Sequence, residues 1–90
     1  MKKNDYKIKK SVLIEHVDNE YLVLDTEMNS ISVINATCNE IINLIRNKKN
    51  IHDIIEHFIQ KYEVDRENAK NDILEVLQNL ETLGIAIKRK

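Results

Sequence analysis

Three histidines and one cysteine are the side chains of this 90-residue sequence best suited to chemistry, and their spacing limits what they can do. His52 and His57 lie five positions apart on an expected helix, so they point in different directions and cannot both reach one metal ion. His16 and Cys38 add no recognisable ligand spacing to either of them. Cys38 falls in the first turn of an expected helix, where an N-terminus can lower a thiol's pKa; a cysteine placed there more commonly fills space as a small buried residue. No nucleophile–base pair, carboxylate pair or glycine-rich phosphate loop can be placed, since Gly84 is the only glycine. These residues therefore predict no enzyme, no metal and no cofactor. The lone cysteine excludes an internal disulfide, and no stretch reads as a signal peptide or membrane span, so the expected location is cytoplasmic.

Binding surfaces remain, and one stretch offers a backbone rather than side chains. Ser30-Ile31-Ser32-Val33-Ile34 alternates β-branched residues with serine after a turn-forming Met28-Asn29. It reads as an edge strand carrying neither charge nor proline, the usual devices that blunt such an edge. A free edge of that kind can accept a peptide as an added strand, or the same strand of a second copy in a homodimer.

Three strands and three helices must position that edge. Ser11 to Val17 and Glu20 to Asp25 read as strands joined by an Asp18-Asn19 turn, which makes Ser30 to Ile34 the third strand of an antiparallel meander. The hydrophobic period then changes from two to about 3.6, with Cys38, Ile41, Ile42 and Ile45 on one helical stripe from about Ala36 to Asn47. Either Asn35 or Thr37 can cap this helix, and Thr37 with Glu40 has capping-box spacing. A second helix follows Asn50 as its cap, with Ile51, Ile54, Ile55, Phe58, Ile59 and Tyr62 forming its apolar face. A third, capped by Asp65, carries Ile73, Val76, Leu77, Leu80 and Leu83 and ends at Gly84 in a left-handed C-terminal position. Ile85-Ala86-Ile87 continues as a short extended segment. Leu74, beside Leu77, widens the apolar surface of the third helix, so that strand and helix can flank one groove.

Length sets a single domain, and the 42% hydrophobic content suffices for one core. Net charge is −1, but residues 1–10 hold five lysines against Asp5, and Lys88, Arg89 and Lys90 close the sequence. Removing both ends leaves six basic and fourteen acidic residues between 11 and 87, a charge of −8. The ends, 1–10 and 88–90, are expected to be basic solvated tails around a domain of residues 11–87.

In order and spacing the segments resemble the PqqD family, also described as RiPP precursor peptide recognition elements (RRE), over about residues 11–87. The resemblance is carried by Tyr21-Leu22-Val23-Leu24-Asp25, by Val33-Ile34-Asn35-Ala36-Thr37 opening the helix Glu40-Ile41-Ile42-Asn43-Leu44-Ile45, by Ile51-His52-Asp53-Ile54-Ile55, and by Val76-Leu77-Gln78-Asn79-Leu80-Glu81-Thr82-Leu83-Gly84-Ile85. Two positions depart from it: Cys38 stands where the family usually has glycine or alanine, and Asn47-Lys48 replaces a favoured Asp-Gly turn. The resemblance implies an α+β, winged helix-turn-helix-like fold, a three-stranded antiparallel sheet followed by three helices. It implies a non-catalytic peptide chaperone of natural product biosynthesis that binds the leader peptide of a ribosomally made precursor and presents it to a modifying enzyme, in many relatives a radical SAM protein. The implied peptide-binding residues are Ser30, Ile31, Ser32, Val33 and Ile34 through their backbone, with Lys70, Leu74, Leu77 and Gln78 on the third helix.

The rival reading is a winged-helix DNA-binding transcriptional regulator, whose third helix would enter the major groove. There Arg66 and Lys70 are outnumbered by Glu67, Asp72, Glu75 and Glu81, a surface a phosphate backbone repels, so no nucleic-acid partner is expected.

Overall fold

The computed structural model describes residues 6–88. Five strands and three helices follow in the order β1 (Tyr6–Ile8), β2 (Val12–Val17), β3 (Glu20–Asp25), β4 (Ser30–Ile34), α1 (Ala36–Arg46), α2 (Ile51–Tyr62), α3 (Arg66–Thr82) and β5 (Ala86–Lys88). The expected meander is present: β2, β3 and β4 form an antiparallel sheet in that order, so β2 and β4 are its edges. Asp18 and Asn29 take the positive φ that the two turns require, at 55° and 54°.

The residues expected as tails behave otherwise where they are described. Tyr6–Ile8 pairs antiparallel with Ala86–Lys88, with Lys7 opposite Ile87, and closes a second, two-stranded sheet from the two ends of the chain. Tyr6 and Ala86 are buried within this pair, and Ile85, which leads into it, is buried as well. Lys9 is held by Asp25, 2.8 Å from its carboxylate. A three-residue Tyr-Lys-Ile alternation among lysines carries almost no local strand signal, and its partner lies some eighty residues away, so the pairing is a tertiary event. Residues 1–5, 89 and 90 of the expected tails lie outside the described residues.

Capping chemistry sets the helix ends. Of the two candidate caps of α1 it is Asn35 that acts, its Oδ1 accepting from Cys38 N at 2.8 Å. Asn50 and Asp53 form a reciprocal capping box at α2. Asp65 occupies the N-cap of α3 without bonding the helix backbone; its Oδ1 accepts from Asn68 Nδ2 instead. At the end of α1, Lys48 N donates to Ile45 O and Lys49 N to Leu44 O, the bond pair of a Schellman closure, with Lys48 at φ 67°. Gly84 closes α3 in the same way, at φ 78°, with Gly84 N donating to Glu81 O and Ile85 N to Leu80 O.

The core lies between the inner face of the meander and the helices. Ile41 and Ile42 of α1, Ile54 of α2 and Leu77 and Leu80 of α3 are its most deeply buried side chains, and Val12, Val23 and Ile34 meet them from the sheet. At roughly 1.5–3 kcal/mol for each such side chain removed from water, this cluster supplies most of the drive to fold. The periodicity overshoots at its edges: Tyr62 and Leu83, expected on buried stripes, are exposed.

Candidate functional site: the open edge of strand β4

Which backbone groups of β4 are free follows from the β2–β3 hairpin. A two-residue turn makes Val17 and Glu20 a hydrogen-bonded pair, and such pairs then recur at every second position. The bond from Thr26 N to Ser11 O, 3.0 Å, confirms the alternation at the far end. Glu20, Leu22 and Leu24 thus spend their N–H and C=O groups on β2, leaving those of Tyr21, Val23 and Asp25 for β4. Their opposite numbers on β4 are Ile34, Ser32 and Ser30. The N–H and C=O groups of Ile31 and Val33 therefore point away from the sheet, along an edge that no other described strand covers.

The side chains alternate in step with the backbone. Ile31 and Val33 lie on the outer face, 69% and 59% exposed, while Ser32 and Ile34 face the helices. Cross-strand register sets Ile31 beside Leu24 and Leu13, and Val33 beside Leu22, as two apolar rows that stop at the open edge.

On the inner side, a cleft of about 310 Å³ opens near the junction of β4 and α1. Thr37 and Ile41 of α1, Phe58 and Tyr62 of α2, and Ile73 and Val76 of α3 form most of its wall, and Asp72 stands among them. Phe58 and Tyr62 stack with ring centroids 5.3 Å apart. Their position is braced by Glu40, whose Oε1 accepts from Tyr62 Oη at 2.8 Å and whose Oε2 lies 2.8 Å from Lys61 Nζ and 2.7 Å from His57 Nε2. Burial pushes the Glu40 carboxyl up, but the bonds from Lys61, His57 and Tyr62 outweigh it and bring the pKa down to about 2. Glu40, read from the sequence as half of a capping box, is thus a brace between α1 and α2.

A second carboxylate anchors the other end of β4. Asp25 Oδ1 accepts from Ser11 Oγ at 2.7 Å and from Glu27 N at 3.0 Å and Met28 N at 3.3 Å, and Oδ2 from Lys9 Nζ at 2.8 Å. Lys9, then Ser11, and the two turn amides hold its carboxyl well below the usual carboxylate range. The tight β3–β4 turn that presents the open edge is tied down by this one side chain.

The residues singled out on the third helix divide. Leu77 has no exposed surface and faces the core. Lys70 lines a shallow depression with Arg66, Glu67 and Asn71, away from the cleft. Leu74 is 38% exposed and Gln78 exposed, and neither lines the cleft. The α3 residues that do are Ala69, Asp72, Ile73 and Val76. Helical periodicity finds the buried stripe but leaves open which of its two flanks meets α1 and α2. Cys38 is half-buried and burial pushes its thiol up, the reverse of activation. His16 stacks on Tyr21 and His57 is spent on Glu40; among the described residues no group of three histidine, cysteine or carboxylate side chains is placed to hold a metal. No helix of the described residues is long and apolar enough to cross a membrane.

The family model for coenzyme PQQ synthesis protein D (PqqD) matches residues 20–86. Two solved structures are similar over nearly all of the chain. "TbiB1 in Complex with the TbiA(beta) Leader Peptide" has a TM-score of 0.79 at 24% identity and covers 89% of this chain and 93% of that one. "Lasso peptide synthetase B1 complexed with the leader peptide" has a TM-score of 0.81 at 20% identity, covering 92% and 98%. At these identities the likeness establishes a shared fold, and with it the three-stranded sheet followed by three helices. Comparison with curated proteins gave no match.

Proposed function

The chain belongs to the PqqD family, and from that premise we propose that it is a non-catalytic peptide chaperone of the cytoplasm, which takes up the leader of a ribosomally made precursor peptide and presents it to a modifying enzyme. The observation that carries this reading is the coincidence at β4 of outward-pointing backbone groups with exposed apolar side chains, both at Ile31 and Val33. A leader strand laid along β4 exchanges N–H···O bonds with these two residues. Its residues opposite Ile31 and Val33 extend the two apolar rows of the outer face, so aliphatic or aromatic side chains are favoured there. Its alternate residues turn inward towards the cleft lined by Thr37, Phe58, Tyr62, Ile73 and Val76. The two similar structures were both determined with leader peptides bound, which supports a leader peptide as the ligand here. A DNA-reading role is disfavoured by α3, where Arg66 is paired with Glu56 and exposed Glu67, Asp72, Glu75 and Glu81 outnumber Lys70.

Amide hydrogen exchange tests the mode directly. If a short precursor is encoded near this chain's gene, adding its synthetic leader should move the amides of Ile31 and Val33 from fast to slow exchange. Those of Ser32 and Ile34, already bonded to β3, should slow little. Unchanged exchange at Ile31 and Val33 under saturating leader would refute strand addition at β4.

A further inference from the structure

We propose that the cleft between β1, the C-terminal end of α1 and the start of β2 is a second docking site, for an acidic polypeptide segment of a partner protein. The cleft is about 630 Å³. Five of the ten lysines and arginines between residues 6 and 88 line it: Lys7, Lys9, Lys10, Arg46 and Lys48. The body of the chain from 11 to 87 carries −8, so this concentration of cations runs against the background charge.

The cations are held in different ways. Lys9 is committed to Asp25 and, at 3.6 Å, to Glu27. Arg46 Nη2 donates to the carbonyl of Val12 at 2.8 Å, which fixes the guanidinium at the cleft and leaves its other N–H groups free to donate. Lys7, Lys10 and Lys48 make no ion pair among the described residues. Lys48 is set there by the left-handed closure of α1, a conformation that a lysine adopts only at a cost.

The lining selects polypeptide over nucleic acid. Ile8, Ile45 and Ile87 supply an apolar floor between the ammonium groups, which suits a segment alternating carboxylates with aliphatic side chains.

The site is separate from the open edge of β4. No residue of β4 lines the basic cleft, which reaches only Glu27 of the β3–β4 turn, and Thr37 and Arg46, which line the two clefts, lie nine positions apart on α1, or roughly 13 Å along its axis. A leader on β4 and an acidic segment on the basic cleft can therefore be held together, which gives a module without catalytic residues the means to bring two chains into one complex.

The test titrates octaglutamate into the full chain at roughly 20 mM salt, followed by backbone amide NMR shifts. The expected result is saturable shifts at Lys7, Lys10 and Lys48, with the amides of Ile31 and Val33 unmoved. Lys7→Glu with Lys10→Glu, both on exposed positions, should weaken binding at least tenfold while the spectrum stays that of the folded chain. Reversing two cations outside the cleft, Lys49→Glu with Lys70→Glu, should change it by no more than about twofold. Equal losses in the two double variants, or shifts spread over all lysines, overturn the proposal. So does a single-stranded octadeoxynucleotide that occupies the cleft more tightly than octaglutamate, which would make it a nucleic-acid site. None of these readouts depends on leader binding, so failure of the β4 reading and failure of this one are distinguishable.

Discussion

Proline substitution along β4 separates the two sides of the strand. Ile31 has its N–H on the open edge and a side chain 69% exposed, so Ile31→Pro removes no bond within the protein and little packing. Ser30 before it is already extended, as a residue preceding proline must be. Against a leader, the missing donor costs about 1–3 kcal/mol, or roughly five- to 150-fold in Kd. The lost side chain is controlled by Ile31→Ala, where an absent cross-strand apolar pair accounts for about 0.2–1 kcal/mol, at most roughly fivefold. Ser32→Pro is the inward counterpart: its N–H belongs to the carbonyl of Val23, a residue only 2% exposed. Orphaning that carbonyl costs about 1–3 kcal/mol before any ring strain, and at about 4–8 °C per kcal/mol for a domain of this size the Tm falls on the order of 10 °C. Titration calorimetry with the leader, alongside thermal melts of the four proteins, reads both quantities. The expected pattern is a folded Ile31→Pro that binds weakly and a Ser32→Pro that melts early. An Ile31→Pro protein that folds and binds like Ile31→Ala, or a Ser32→Pro protein with parental Tm, would show that the register argument is wrong.

Two further outcomes follow from the helix ends and the Glu40 brace. Lys48→Gly relieves a left-handed lysine and should raise stability by about 1 kcal/mol, or roughly 4–8 °C in Tm; an unchanged or lower Tm would deny the strain. Glu40→Gln should lower stability at neutral pH by about 1 kcal/mol, allowing for partial solvent screening of its partners. Because the folded Glu40 pKa is depressed to about 2 from an ordinary 4.5, the charged brace contributes fully above about pH 5 and is lost as pH falls towards 2. The gap between parent and variant in urea midpoints should therefore narrow steadily over that window. A gap independent of pH would place the effect of Glu40 in packing rather than charge.

Local signals in the sequence were enough for the meander, the three helices and the open edge. Asp18-Asn19 and Met28-Asn29 are turns because Asp18 and Asn29 accept positive φ, Asn50 caps because its short amide reaches Asp53 N, and Gly84 ends a helix because it tolerates the left-handed region. Even the outward direction of Ile31 follows from counting pairs back to a two-residue turn, once the pairing is known. Tertiary structure decided what local preference leaves degenerate. Tyr6–Ile8 becomes a strand only because Ala86–Lys88, from the far end of the chain, folds back beside it. Leu77 and Val76 are adjacent in sequence and equally apolar, yet one is sealed in the core and the other lines the cleft, because the crossing of α3 against α2 selects the flank. The basic cleft is likewise assembled from four stretches, Lys7 to Ser11, Glu27, Ile45 to Lys48 and Ile87, and its charge exists as a single surface only after the ends of the chain have closed on α1.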